Sequence, residues 1–280
     1  MPLPNILRSA LMIALLATLA ACGKPQVSQA PIPPADPRYG EVLDGDVVIP
    51  AVERGYLLGQ NARTEVAFTG ADSPGTIVVD PYARLLYLVE DGGRALRYGI
   101  AVGREGRGFS GDATIRRKEV WPRWTPTANM VRTEPEVYAE YRAGLPGGLQ
   151  NPLGARALYL YRGGRDTYYR IHGTNNSSTI GRATSAGCIR LFNQDAIDLF
   201  DRVDLGTHVH VRSWGESIAA EGEMVENENG LMVSMASLPE DVQAQIRAGM
   251  TPWPKFVPII GVNATAPVRP DPITGELPTN

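Results

Sequence analysis

The chain has 280 residues, a net charge of −3 and 43% apolar residues. That balance suffices for one principal core and argues against nucleic acid as a partner. Two cysteines exclude a disulfide framework, while 30 glycines and 23 prolines favour a mainly β, loop-rich architecture.

Residues 1–22 read as a secretory leader: Arg8 in a short n-region, then the apolar run Ala10 to Ala17. The uncharged run is short for a membrane span. Leu19-Ala20-Ala21-Cys22 matches a lipobox, which would make Cys22 the lipidated first residue of the mature chain. Gly23, where an Asp would favour inner-membrane retention, points to a periplasmic protein anchored in the outer membrane. From 23 to 73 the chain opens as a tether, with Pro25, Pro31, Pro33, Pro34 and Pro37 favouring an extended, semi-rigid spacer. Whether residues 39–70 pack on the domain is open at this level.

Strand signals follow at 76–80 and 84–90, both rich in β-branched and aromatic residues, with a Pro81 turn between. Further strands are expected at 95–102, 112–120, 155–161, 168–172 and 207–213. A capping box, Thr133-Glu134-Pro135-Glu136, predicts a short helix ending at Gly144. Asn193-Gln194-Asp195 opens a second, with Ala196, Phe200 and Val203 on one face. Between them, residues 145–154 form a Gly/Pro connection that also suits a cleft wall. Residues 214–280 form a C-terminal extension: Ser237-Leu238-Pro239-Glu240 starts one short helix, and a Pro-rich tail follows Thr251.

With Cys22 assigned to the anchor, Cys188 is the one thiol left for chemistry. It lies in Ser185-Ala186-Gly187-Cys188-Ile189-Arg190, sixteen residues after His172. A thiol is mostly protonated at neutral pH unless a neighbour such as His lowers its pKa. Gly187 lets main chain approach a substrate, and backbone N–H groups at such a turn suit an oxyanion. The chemistry expected of the pair is acyl transfer through a thioester. The same pair reads equally as a buried inert thiol and a hydrogen-bonded core histidine. His208 and His210 share a strand face, but no carboxylate or thiol cluster accompanies them in the sequence, so they read as plain strand residues and no metal site is expected. Trp121 and Trp124 suit either a cleft lining or loop packing. The basic stretches 104–107 and 116–118 read as solvated faces.

Ile171-His172-Gly173-Thr174 followed by Ser185-Ala186-Gly187-Cys188-Ile189-Arg190 resembles the signature of the L,D-transpeptidase (YkuD) family, over roughly residues 74–213. The resemblance implies a YkuD-type β-sandwich with one or two short helices, flanked by a flexible tether and a Pro-rich tail. It implies Cys188 as nucleophile, His172 as proton donor and acceptor, and the Gly173 carbonyl as the group orienting the imidazole. Gly187 would donate to the oxyanion, Ser185 would order the loop, and Arg190 and Thr174 would meet substrate. For Arg190 a structural ion pair under the loop stands as the alternative. Ala186 departs from the histidine many members carry there, leaving His172 as the one base at the site. The implied reaction joins a peptidoglycan stem tetrapeptide donor to a diamino-acid or protein-lysine amine, releasing D-alanine, with no cofactor. The same residues would serve an L,D-carboxypeptidase, and an idle wall-binding lipoprotein is the alternative from another class.

Overall fold

The computed structural model describes residues 32–103, 109–185 and 188–250. Outside them lie the expected leader with Cys22, the first part of the expected tether, the 104–107 stretch, Ala186, Gly187 and the Pro-rich C-terminal stretch.

The fold is mainly β. Strands β1 (Val42–Asp44) and β2 (Val47–Ile49) form a small hairpin, and β3 (Thr64–Ala67) edges the main sheet. Then come β4 (Ile77–Asp80), β5 (Leu85–Glu90), β6 (Arg94–Gly99), β7 (Val102–Gly103), β8 (Gly111–Val120), β9 (Arg156–Arg162), β10 (Arg165–His172), β11 (Ala183–Ser185), β12 (Ile189–Arg190) and β13 (His208–Val211). Nine of them make one sheet in the order β12-β10-β9-β8-β13-β4-β5-β6-β3. This sheet curls back on itself. Ala101, just past β6, exchanges two 2.9 Å backbone hydrogen bonds with Arg190 of β12, near the opposite edge. One core, including Leu96, Ile77, Val209, Ile115, Leu158, Ile171 and Ile189, is therefore shared by strands from β6 round to β12. Burying each such side chain contributes about 1.5–3 kcal/mol. β4 is buried along its whole length, which explains its unbroken apolar run.

Helix α3 (Asn193–Arg202) covers this core with Ala196, Leu199 and Phe200. Lys118 of β8 sits 4.2 Å over the Phe200 ring and donates to the carbonyls of Phe200 and Val203, at the end of α3 where a cation is favoured. Arg116 and Arg117 are exposed, as expected of a solvated face, with Arg117 lying over the Tyr159 ring, and only Lys118 is half-buried.

The helix expected from the Thr133–Glu136 box is shorter than predicted, α2 (Pro135–Tyr138) with Pro135 in its first turn followed by a 3-10 turn at Ala139–Tyr141, and a separate helix, α1 (Ala128–Thr133), precedes it. Thr127 caps α1, and the Thr133 hydroxyl donates back to Asn129 O at 3.0 Å, so Thr133 closes a helix rather than opening one. The C-terminal extension holds α4 (Trp214–Glu221), the hairpin β14 (Met224–Glu226) and β15 (Met232–Ser234), and α5 (Glu240–Arg247). Ser213 and Glu216 make a true capping box at α4. Arg84, buried in the β4–β5 turn, bonds Gly181 O, Gly230 O and Glu226, tying the extension to the domain.

Residues 39–70 pack on the domain. Tyr39, Val52 and Leu57 form a cluster with Ala101, Ile180 and Phe192. The Tyr39 hydroxyl donates to Asp195 of α3 at 3.1 Å and accepts the Arg63 N–H. Arg63 pairs with Asp195 at 3.4 Å and Asp198 at 3.0 Å, and Arg156 grips Asp44 with two bonds of 2.6 and 2.8 Å. Burial pushes the Asp195 carboxyl up to about 7, against the pull of Arg63 and Tyr39. A carboxyl with a raised folded pKa favours folding at low pH, a contribution lost as pH climbs through about 7. Tyr39→Phe strands the Arg63 N–H and removes a donor from Asp195, so a loss of about 1–3 kcal/mol is expected. Chemical denaturation at pH 5.5 and pH 8 checks this: the loss is larger at pH 8, where Asp195 must ionise.

Candidate active site

Strands β10 and β12 run parallel with Ile171 beside Ile189 and His172 beside Arg190. The two isoleucines are buried in the main core, so the alternation sends His172 and Arg190 to the other side of the sheet. Cys188, immediately before β12, continues that alternation level with Arg170. Ile189 and Arg190 thus meet Ile171 and His172 edge to edge.

His172 is 1% exposed. Its Nδ1 lies 2.6 Å from Gly173 O, which can only accept, so Nδ1 carries the hydrogen and Nε2 the lone pair. That Nε2 is buried and has no hydrogen-bond partner. The Leu153 backbone lies near enough to favour the protonated ring, yet falls short of a bond to Nε2. Burial, reinforced by the Arg190 guanidinium, pulls the imidazole down to about 3. Cys188 is half-buried, and burial pushes its thiol up while the charges of Arg170 and Arg190 and the Arg170 backbone N–H oppose the rise. Both shifts point to a neutral thiol and a neutral imidazole. An uncharged base with an open lone pair can take a proton from the thiol as it attacks.

This makes a prediction for the free protein. Alkylation of Cys188 by iodoacetamide should go on accelerating as pH rises past neutrality, with no plateau there, because burial holds the thiol above its ordinary value. A rate plateau near neutrality would mark a thiolate–imidazolium pair instead.

Other residues singled out in the sequence lie as follows. Thr174 is 2% exposed, and its hydroxyl accepts from Asn176 N at 3.0 Å, so it is used inside the loop. Arg190 is 1% exposed, with its charge beside His172. Ser185 ends β11, which pairs with β7. Gly187 lies outside the described residues. Trp124 is buried against Tyr138 and Leu153 in the connection between β8 and β9. Asn151 knots that connection, donating to Pro122 O and Pro146 O at 3.0 Å and accepting from Leu153 N at 2.9 Å. An open hollow of about 570 Å³ in the same connection is lined by Arg132, Arg142 and three apolar residues, none of them at the Cys188–His172 pair.

His208 and His210 do have a carboxylate. Asp112 Oδ1, on the neighbouring β8, lies 3.1 Å from His208 Nε2 and 3.0 Å from His210 Nδ1, with Glu216 3.2 Å from His210 Nε2. Strand pairing brought in a residue 98 positions away. Among the described residues no group of three or more His, Cys, Asp or Glu is placed to hold a metal ion.

Arg170 is a residue the sequence reading passed over. It is bidentate to Asp166 at 2.7 and 2.7 Å and lies 4.4 Å over the Tyr159 ring, whose other neighbour Arg117 is also at 4.4 Å. These contacts hold a cation level with Cys188. Its position two residues before His172 was the available signal, since i and i+2 share a strand face.

A family model described as the L,D-transpeptidase catalytic domain, YkuD, matches residues 74–211. An open reading frame in the ATP synthase subunits region of Fuscovulum blasticum, assigned as an L,D-transpeptidase, is 35% identical over 144 residues, covering 47% of this chain and 71% of its own. A protein of Escherichia coli K12 named as the probable L,D-transpeptidase ErfK/SrfK is 37% identical over 139 residues, 49% of this chain and 43% of its own. The chain thus spans less than half the length of that relative. A crystal structure from Brucella melitensis, named as a probable carnitine operon oxidoreductase caia, is 52% identical. It covers 54% of this chain and 94% of its own, with a TM-score of 0.40, and at that score the superposition carries no argument.

Proposed function

This chain belongs to the L,D-transpeptidase (YkuD) family, and on that premise we propose that it is a peptidoglycan L,D-transpeptidase working through a thioester at Cys188. The observation that carries the reading is the His172 ring: Nδ1 fixed on Gly173 O at 2.6 Å, Nε2 buried and unpartnered. As Cys188 Sγ bonds to the carbonyl carbon between the third residue of a stem tetrapeptide and its terminal D-alanine, the thiol proton moves to Nε2. The tetrahedral intermediate collapses when Nε2 returns that proton to the departing D-alanine nitrogen, leaving a thioester. The acceptor amine then attacks the thioester, gives its proton to Nε2, and the sulfur leaves to be reprotonated as the thiol. With Arg190 and Arg170 nearby, the resting ring stays neutral and able to accept at each step.

The acceptor we assign is the side-chain amine of a second stem's diamino acid, giving a 3→3 cross-link. We place the enzyme in the periplasm, held at the outer membrane by a lipid on Cys22, on the strength of the lipobox. The test is incubation with disaccharide-tetrapeptide, read by mass spectrometry. Cross-linked dimers support the proposal. Tripeptide alone would make the enzyme a carboxypeptidase, transfer only to protein lysines would change the acceptor, and no turnover would leave an idle wall-binding domain. A mature N-terminus without lipid would overturn the anchor.

A further inference from the structure

Asn193 opens α3, but its side chain does not cap that helix. Its Oδ1 accepts the N–H of Ala155 at 3.0 Å and of Thr174 at 3.1 Å, while its Nδ2 donates to Thr174 O at 2.8 Å. One carboxamide thus joins the start of β9, the loop leaving β10 and the first turn of α3. The fit is tight on both sides. A Cβ on Gly154, whose φ is +61°, would lie 2.2 Å from Oδ1 and 2.4 Å from Thr174 N. A Cβ on Gly173 would also lie 2.2 Å from Oδ1.

The decisive point is which peptide plane Asn193 holds. The Thr174 N–H and the Gly173 carbonyl belong to one planar, trans unit, so fixing the first aims the second in the opposite direction. That carbonyl is the acceptor of the His172 Nδ1 hydrogen. We infer that Asn193 is a positioning residue: through the Gly173–Thr174 peptide plane it keeps the hydrogen of His172 on Nδ1 and the lone pair on Nε2. This rests on the reading of His172 as the base. Partners at this remove typically carry about 10–100-fold of activity.

The test uses the full chain, which has only three histidines to assign. ¹⁵N NMR of the imidazole reports the tautomer, and steady-state kinetics on the tetrapeptide separate kcat from KM. In Asn193→Ala the two ring-nitrogen shifts of His172 should converge as both tautomers populate. Its kcat should fall by about 10–100-fold with KM little changed. Asn193→Asp keeps an acceptor for both N–H groups and is expected to restore the Nδ1–H form. Asn193→Leu, close to asparagine in size, replaces the alanine variant should that one fail to fold. The neighbouring carboxamide of Gln194, which donates to Gly40 O and Pro50 O, serves as control, and Gln194→Ala should leave the shifts unmoved. Parental shifts in folded Asn193→Ala or Asn193→Leu would overturn the inference, as would an equal change in Gln194→Ala. The NMR readout needs no turnover, so a failure of the transpeptidase reading is distinguishable from a failure of this one.

Discussion

Cys188→Ala is expected to abolish acyl transfer, lowering kcat by about ten-thousand-fold or more, as loss of a covalent nucleophile does. In the proposed reaction the acyl group attaches to this thiol, and among the described residues no other cysteine is present. Folding should survive, because the change removes one half-buried sulfur and leaves the Ile189–Ile171 pairing beside it untouched. Circular dichroism and thermal melting of the variant against the parent establish that, and product formation from disaccharide-tetrapeptide reads the activity. A variant that folds and retains parental turnover would remove Cys188 from the mechanism.

His172→Asn should cost about a thousand-fold, within the range for a general base. The direction of its pH dependence is more telling than its size. Burial pushes the Cys188 thiol up, so at neutral pH attack needs a base, and the variant lacks one. As pH rises the thiol ionises unaided, so the first step of the variant should recover, narrowing its deficit in single-turnover acylation. A deficit constant from pH 7 to 10 would mean that His172 does not take the thiol proton. Stability carries a second signature. An imidazole pulled down to about 3 binds its proton more weakly folded than unfolded. Its contribution is present above the ordinary histidine pKa near 6.5 and is lost as pH falls towards about 3. Removing it should flatten that part of the acid-denaturation curve.

Much of the edge that carries the candidate site is legible in the sequence because its elements announce themselves locally. Strands β4 and β5 are unbroken apolar runs because both their faces are buried. His172 and Cys188 stand in short motifs whose glycines mark close backbone approach, and parallel pairing of β10 and β12 brings them to one edge. Helix starts were less readable. Ser213-Trp214-Gly215-Glu216 carries the same pattern as Thr133-Glu134-Pro135-Glu136, yet only the first forms a capping box. Side-chain type permits a cap; the backbone angles that complete it are set by what packs around. At Ser213 the pattern is hidden by a strand signal running from 207 to 213.

What the sequence hides is long-range partnership. Tyr39 meets Asp195 across 156 positions, and nothing near either residue marks the pairing. Asp112 reaches His210 because β8 and β13 are neighbours, a fact of topology rather than composition. Asn193 reads as a helix start, and that position is right, but its side chain serves the loop after His172.

The most direct test of the central claim is the mass of the peptide carrying Cys188 after the enzyme meets a stem tetrapeptide and the reaction is stopped in acid. A neutral Cys188–His172 pair acting in acyl transfer predicts a thioester adduct equal to the tetrapeptide residue without its terminal D-alanine, confined to Cys188 and strongly reduced in His172→Asn. Product accumulating while that peptide stays unmodified would contradict it.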